Sequence, residues 1–348
     1  MKKVELPGER SIGTGFPCFV VAEIGANHNR SLSLAKELID AAAESGADAA
    51  KFQIYSADTL YSRRTPVHSG YEKDLHTLIS EIETPREWLQ ELSDYCVSKG
   101  LVFFATPFDG PAVDELDAFS PLYKIASFEI VDLPLIEHVA SKGKPVVIST
   151  GLARMDEIRD AVEACRAVGN GQVILLQCAS LYPATPDIMN LRAMRTMSEA
   201  FGVPAGLSDH TLGTHVSVAA VALGACMIEK HFTLSRGMRG PDHPFAMEPD
   251  EMALLVRQIR DVEKALGNGE KEGPQLAEME NYSIARRSIH VVRSIPKGTE
   301  ITEGMLCTKR PGLGIAPKFM KTLVGRRVAQ DVDADMWLTW EMIERDPV

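Results

Sequence analysis

No stretch of this chain reaches the run of about eighteen apolar residues that a membrane-spanning helix needs. The start, MKKVELPGERSIGTG, carries two lysines with no apolar segment behind them, so neither a secretory leader nor an anchor is expected. Basic charge is also short: 37 Lys and Arg face 48 Asp and Glu, a formal net charge of −11. Nucleic acid or an anionic membrane would want the opposite sign, so neither is expected as a partner, whereas a small anion needs only a local basic site. Closely spaced cysteines are missing as well. Cys18, Cys96, Cys165, Cys178, Cys226 and Cys307 are scattered without a CxxC, mostly in apolar surroundings, which reads as free thiols in a reducing cytoplasm. No Walker loop or GxGxxG fingerprint occurs, which speaks against nucleotide binding.

What is present is a regular alternation. Short β-rich runs, FVVAEI (19–24), AAKFQI (49–54), LVFFATP (101–107), YKIAS (123–127), PVVIST (145–150), VILLQC (173–178), PAGLSD (204–209) and MIEKHF (227–232), are separated by segments with apolar residues at helical spacing. SLAKELIDAAAESG and MDEIRDAVEACRAVG are two such helices, each ending on a glycine stop. Eight strand–helix repeats in about 250 residues predict an α/β protein built as a (β/α)8 TIM barrel, with an open doubly wound sheet as the alternative. The barrel is assigned to residues 1–266 and a polar, glycine-punctuated linker or helix extension to 267–284. A small β-rich module takes 285–348, with strand-like runs at SIHVVR and TLVGRRVAQDV. It holds 11 basic and 8 acidic residues against 26 and 40 in the rest, an asymmetry that favours docking on an acidic barrel, its own or a partner's.

In a barrel of this kind the chemistry sits at the C-terminal strand ends. Those ends carry Glu23, Lys51 and Gln53, Thr106, Lys124 with Ser127 and Glu129, Ser149 and Thr150, Gln177, Ser208 with Asp209 and His210, and Glu229 with His231. A lysine inside an apolar strand is costly to bury without a partner, so Lys51 and Lys124 read as functional. In GLSDHTLGTHVSVAAVALGACMIEKHF, strand seven closes on His210 and strand eight on His231, with a crossing helix between. The two imidazoles thus reach one mouth, where they could hold a divalent metal with open positions, manganese or magnesium among the candidates. His28 and His215 earn no such reading, nor do His68, His76, His138 and His290. The lysines with Thr106, Ser127, Ser149 and Ser208 form a recognition set for a substrate bearing phosphate and carboxylate.

VVAEIGANHN, AAKFQIY, FFATPFD, YKIASFEI, VISTGL, CASLYP, GLSDHTLG, IEKHFT, GPDHPFAMEPDE and TKRPGLG, in that order along nearly the whole chain, resemble the sialic acid synthase family. Those enzymes condense phosphoenolpyruvate with an N-acylated amino sugar to a nine-carbon 2-keto acid, and the tail looks like their antifreeze-like SAF domain. The resemblance implies that His210 and His231 bind the divalent metal, manganese first and magnesium second, which holds and polarises the open-chain aldehyde. It implies that Lys51, Lys124, Thr106, Ser127, Ser149 and Ser208 hold phosphoenolpyruvate, with Ser180 alongside. Glu23 and Glu129 become candidates for proton transfer or sugar-hydroxyl contacts, and Tyr182 and Asp242 become acceptor contacts. Arg310 of the RPG motif would reach the acceptor in the barrel of a second protomer, in a domain-swapped homodimer. The acceptor is either N-acetylmannosamine, giving N-acetylneuraminate, or a diacetamido trideoxy hexose, giving legionaminate or pseudaminate. EIGANHN and GPDHPFAMEP lean away from the pseudaminate branch, and discrimination should lie in residues 56–82 and 234–247. A different class, a pyruvate aldolase using Lys124 or Lys51 as a Schiff base, would need one lysine with a lowered pKa.

Overall fold

The computed structural model describes residues 3–6, 10–65 and 74–345, in two compact units, Met1–Gly267 and Asn268–Val348. His68 and the middle of the 56–82 segment lie outside the described residues. The first unit begins with an antiparallel hairpin, Lys3–Glu5 (β1) and Ser11–Gly13 (β2). Eight parallel strands follow: Phe19–Gly25 (β3), Ala49–Ile54 (β4), Val102–Pro107 (β5), Tyr123–Ile125 (β6), Val146–Ser149 (β7), Val173–Cys178 (β8), Ala205–Ser208 (β9) and Met227–His231 (β10). β10 pairs with β3, so the sheet closes into a barrel and the open-sheet alternative falls. The helices are Leu32–Glu44 (α1), Ala57–Leu60 (α2), Leu75–Ile82 (α3), Leu89–Ser98 (α4), Gly110–Leu116 (α5), Leu133–Ser141 (α6), Met155–Ala167 (α7), Ala193–Phe201 (α8), His215–Ala222 (α9) and Pro249–Leu266 (α10). No helix among the described residues is long and apolar enough to cross a membrane.

Local chemistry sets the helix starts. Ser31, Asp74, Asp109 and Asp132 each accept a backbone N–H of the following first turn, satisfying a donor that the helix leaves free. Residues 205–208 and 227–230 are buried on every position, because one strand face meets helices and the other meets the barrel interior. The outward faces pack with α1 and α4–α10 in one large cluster that includes Val20, Leu38, Phe52, Leu92, Ile148 and Leu255. The inward faces form a second cluster, Phe19, Val21, Phe104, Val147, Ile174 and Met227, which also contains Val4, Leu6 and Ile12. The β1–β2 hairpin therefore plugs the N-terminal end of the barrel, and the C-terminal mouth is the end left for a ligand.

The second unit contains an antiparallel pair, Ser288–Val291 (β11) and Leu306–Lys309 (β12), and two short helices, Met279–Ala285 (α11) and Met320–Leu323 (α12). Its core is Ile289, Val291, Ile301, Leu323, Val328 and Leu338 with their neighbours. The strand expected over TLVGRRVAQDV is absent: its start lies in α12, Gly325 turns the chain at φ +87°, and Arg327, Val328 and Val332 make only isolated bridges. β11 pairs with β12, a pairing between segments about fifteen residues apart that local periodicity does not show.

Candidate active site

Successive side chains on one strand face lie two residues apart, so each barrel strand can be followed inward. Val21 is succeeded by Glu23, Ala49 by Lys51, Phe104 by Thr106, Leu122 by Lys124, Val147 by Ser149 and Met227 by Glu229, with the first of each pair in the inner apolar cluster. One step along each strand converts the packed apolar interior into a polar floor. Glu23, Lys51, Thr106, Lys124, Ser149, Ser208 and Glu229 are all at most 5% exposed, so every charge there must be matched by another.

Glu229 is the centre of that floor. Its carboxylate lies 3.7 Å from Lys51 Nζ and 3.8 Å from Lys124 Nζ, and it accepts a hydrogen bond from Ser208 Oγ at 3.1 Å. Lys51 also pairs with Glu23 at 2.7 Å and donates to Thr106 Oγ1 at 3.2 Å, while Gln53 Nε2 donates to Glu23 at 2.7 Å. Burial pushes the Glu229 carboxyl up, but Lys124 and Lys51 outweigh it and hold the group below its ordinary value. Burial, with the charge of Glu229 added, pushes Glu23 above its ordinary value despite Lys51. Lys51 stays raised against its burial because two carboxylates face it, whereas burial lowers Lys124. Two lysines thus converge with Glu229 and Glu23 in one buried cluster, where an arriving anion would find two cationic donors.

His210 and His231 stand beside this floor with ring centroids 5.5 Å apart. His210 Nδ1 donates to the Ala179 carbonyl at 2.8 Å, which fixes the tautomer and leaves Nε2 as the free lone pair. His231 Nδ1 is buried without a hydrogen-bond partner, 3.5 Å from Asp242 Oδ2, and burial, with His210 and the lysines adding to it, keeps this imidazole neutral far below its usual pKa. The orphaned nitrogen of the neutral His231 imidazole, with the His210 ring beside it, fits a divalent metal. Among the described residues no set of three His, Cys, Asp or Glu side chains is placed to hold one, so such an ion would keep positions for water or substrate. The two histidine strands are stitched together next door: Lys230 Nζ donates to Asp209 Oδ2 at 3.0 Å and to the Thr211 carbonyl, and Asp209 also accepts from Thr211 and Ser217. Both members are buried, so removing one leaves an uncompensated charge. Lys230→Met is expected to cost about 3–5 kcal/mol in denaturant unfolding; an unchanged midpoint would contradict this role.

On the other side of Lys124 is a cradle around Gly151. Its N–H donates to Ser127 Oγ at 3.0 Å, and a Cβ on Gly151 would lie 2.2 Å from Ser180 Oγ and 2.8 Å from Ser127 Oγ, so any side chain would fill the space. Ser149 Oγ, Ser180 Oγ and Glu129 Oε2 are buried without partners. Such orphans cost free energy unless a ligand satisfies them. Burial pushes Glu129 up to about 7, against the pull of Lys124. The unfolded chain ionises this group near its ordinary value, so folding stability falls as pH rises from there through about 7 and is level above. Glu129→Gln, which stays neutral, is therefore expected to raise the barrel's melting temperature at pH 8, by an amount corresponding to roughly 3 kcal/mol, and to leave it unchanged at pH 4. Equal shifts at both pH values would contradict the assigned environment.

Above the floor opens a cavity of about 300 Å³, bordered by Gln53, Ser127, His231 and Asp242 on the strand side and by Leu75, Leu78 and Ile82 on the α3 side. Tyr182 lies over His210 at 4.2 Å between centroids and contacts Phe245 at 5.2 Å, and burial, with the charge of Glu23 added, raises Asp242 to about 6. Thirteen of the fourteen residues singled out in the sequence belong to the barrel unit. Arg310 belongs to the second unit, exposed at the end of β12. The sequence reading places Glu229 at a strand end but gives it no role; its position two residues before His231 on one strand face is the signal that it shares the floor. Gln53 is likewise passed over. Cys178, whose Sγ lies 3.8 Å from His210 Nδ1, carries no sequence signal at all.

A closed eight-stranded parallel barrel with buried lysines, carboxylates and paired histidines at its C-terminal mouth defines a (β/α)8 enzyme. Residues 38–271 match the NeuB family model and residues 286–344 match the SAF domain. The chain belongs to the NeuB family. It is 41% identical to the N,N'-diacetyllegionaminic acid synthase of Legionella pneumophila, over 98% of each chain. It is 35% identical to the human N-acetylneuraminate-9-phosphate synthase, over 98% of this chain and 97% of that one. The crystal structure of N-acetylneuraminic acid synthetase from Leptospira borgpetersenii in complex with citrate superposes with a TM-score of 0.73 at 36% identity, covering 80% of this chain and 95% of that one.

Proposed function

We propose that this protein is a nonulosonic acid synthase that joins phosphoenolpyruvate to the aldehyde carbon of an N-acyl amino sugar and releases inorganic phosphate. The observation that carries the reading is the pairing of two buried lysines, Lys51 and Lys124 around Glu229, with the unsatisfied hydroxyls of Ser149 and Ser180 beside Gly151. Cations and hydroxyl donors in a dry pocket suit the carboxylate and phosphate of phosphoenolpyruvate. His210 and His231 would hold a divalent ion, manganese or magnesium, which when bound supplies Lewis-acid polarisation of the sugar's carbonyl oxygen. Lys51, Lys124, Thr106, Ser127 and Ser208 orient phosphoenolpyruvate so that its C3 faces the aldehyde carbon, and the new C–C bond forms there. Water adds at C2, the C–O bond to phosphate breaks, and a 2-keto acid with one new hydroxyl remains. Glu23 and Glu129, both pushed above the ordinary carboxylate range by burial, would give or take the protons of these steps. Tyr182 and Asp242 border the space for the acceptor.

Phosphoenolpyruvate labelled with ¹⁸O at the bridging oxygen tests this route. Label recovered in inorganic phosphate is the expected result, and label retained in the organic product would overturn it. A Schiff base at Lys124 is the competing chemistry, favoured by the lowered pKa of that buried amine; pyruvate with borohydride is expected to leave the protein mass unchanged. The assembly is proposed as a domain-swapped homodimer in which Arg310 serves the other protomer's acceptor, a reading supported by the basic excess of residues 285–348 over an acidic barrel.

A further inference from the structure

We infer that His243 is a positioning residue: buried behind the mouth, it pins the loop after β10 to the loop after β3 and thereby holds Asp242 against His231. This rests on the synthase reading above and adds a residue to that same site. Residues 232–247 leave β10 and return to it, since Phe232 bridges Met247 and the Met247 N–H donates to the His231 carbonyl at 2.7 Å. The base of this loop is tied to the β3 side by the Phe232 N–H on the Glu23 carbonyl and by Asn27 Nδ2 on the Phe232 carbonyl, both at 2.8 Å. Further out, a short 3₁₀ turn, His243–Phe245, sends its side chains two ways. Asp242 and Phe245 border the cavity over the floor, with Asp242 Oδ2 3.5 Å from His231 Nδ1 and the Phe245 ring 5.0 Å from the His231 ring. His243 is not part of that lining and is fully buried.

Both ring nitrogens of His243 are engaged. Thr233 gives its hydroxyl proton to the Ser235 carbonyl at 3.1 Å, so His243 Nδ1–H donates to Thr233 Oγ1 at 2.6 Å and Nε2 accepts from Asn29 Nδ2 at 3.2 Å. That arrangement needs a neutral imidazole, and burial lowers the His243 pKa in that direction. Asn29 follows β3 at φ +47°, a left-handed backbone that asparagine tolerates. Gly240 packs against both partners: a Cβ there would lie 2.7 Å from His243 Cδ2 and 3.1 Å from Asn29 Oδ1. One imidazole thus joins the end of β10, the loop after β3 and the backbone just before Asp242. A contact group displaced by about 1 Å can cost about 10²-fold, so what fixes Asp242 sets how well it serves the acceptor.

Double-mutant cycles with Asp242→Ala test this. The readout is phosphate release from phosphoenolpyruvate with manganese, using whichever of N-acetylmannosamine and 2,4-diacetamido-2,4,6-trideoxymannose reacts faster. Asn29→Gly keeps the left-handed backbone and removes only the amide, whereas His243→Leu removes both hydrogen bonds and keeps an apolar side chain in the space. Each is expected to lower kcat/KM for the sugar by about tenfold or more and to leave the KM for phosphoenolpyruvate within about threefold. In the Asp242→Ala background the same substitutions should cost less than about threefold, because a residue that acts through Asp242 has nothing left to position. Asn29→Gly decides the matter if circular dichroism shows His243→Leu unfolded. Sugar losses below tenfold, equal losses for both substrates, losses repeated in full in the Asp242→Ala background, or an Asp242→Ala enzyme as active as the parent would overturn the inference and leave the synthase reading in place. No phosphate release by the parent with either sugar would sink the synthase reading itself and this inference with it.

Discussion

Lys124→Met is expected to lower turnover of phosphoenolpyruvate by about 10³-fold without unfolding the barrel. The reason is electrostatic. Methionine keeps most of the apolar stem and volume of lysine but removes one of the two cations that face Glu229. Glu229 keeps Lys51 at 3.7 Å and the Ser208 hydroxyl at 3.1 Å, so the carboxylate is not stranded, but the floor loses one of the two cations available to an arriving anion. Removal of a single preorganised charge from a water-excluded site costs about 10²–10³ in kcat, and a buried cation holding a multiply charged substrate belongs at the upper end. Steady-state kinetics with varied phosphoenolpyruvate, alongside circular dichroism, measures this. Activity within tenfold of the parent would mean that Lys124 holds Glu229 for structural reasons alone. Lys51→Met should be worse for folding, because Glu23 at 2.7 Å loses its ion-pair partner as well.

The second large effect is that of His231→Ala. Loss of a partner that only orients a metal ligand costs 10–100-fold in affinity, so loss of one of two proposed ligands should exceed that, and turnover should fall by about 10³-fold or more. Manganese binding, followed by the electron paramagnetic resonance signal of the free ion, gives a readout independent of catalysis. Unchanged manganese affinity in both His231→Ala and His210→Ala would remove the metal assignment. Because His210 Nδ1 is committed to the Ala179 carbonyl, His210→Gln should not rescue what His210→Ala loses.

The barrel was legible because each strand carries its signal locally: buried runs such as AAKFQI and VILLQC occupy the strands Ala49–Ile54 and Val173–Cys178 residue for residue. Polar side chains that interrupt such runs, Lys51 and Lys124 above all, were legible for the same reason, since a buried ammonium needs a partner. The partner was not. Glu229 meets Lys51 and Lys124 across the barrel interior, at sequence separations that no spacing rule reaches. The hairpin plug was also silent, because Val4, Leu6 and Ile12 are too few to show a period. The α3 helix lies inside the segment 56–82 to which the sequence assigns acceptor choice, and that its leucines and isoleucines border the cavity is a matter of geometry that composition does not show. In the second unit, strand-like residues near TLVGRRVAQDV form a turn and isolated bridges instead, since Gly325 breaks the run.

The central claim is that this mouth condenses phosphoenolpyruvate with an amino sugar, and the most direct measurement is inorganic phosphate release as a function of both. The account predicts release only when phosphoenolpyruvate, an N-acyl amino sugar and a divalent metal are present together, one phosphate per nine-carbon 2-keto acid formed. Phosphate released at the same rate without the sugar, or none in the complete mixture with folded, metal-loaded protein, would contradict it.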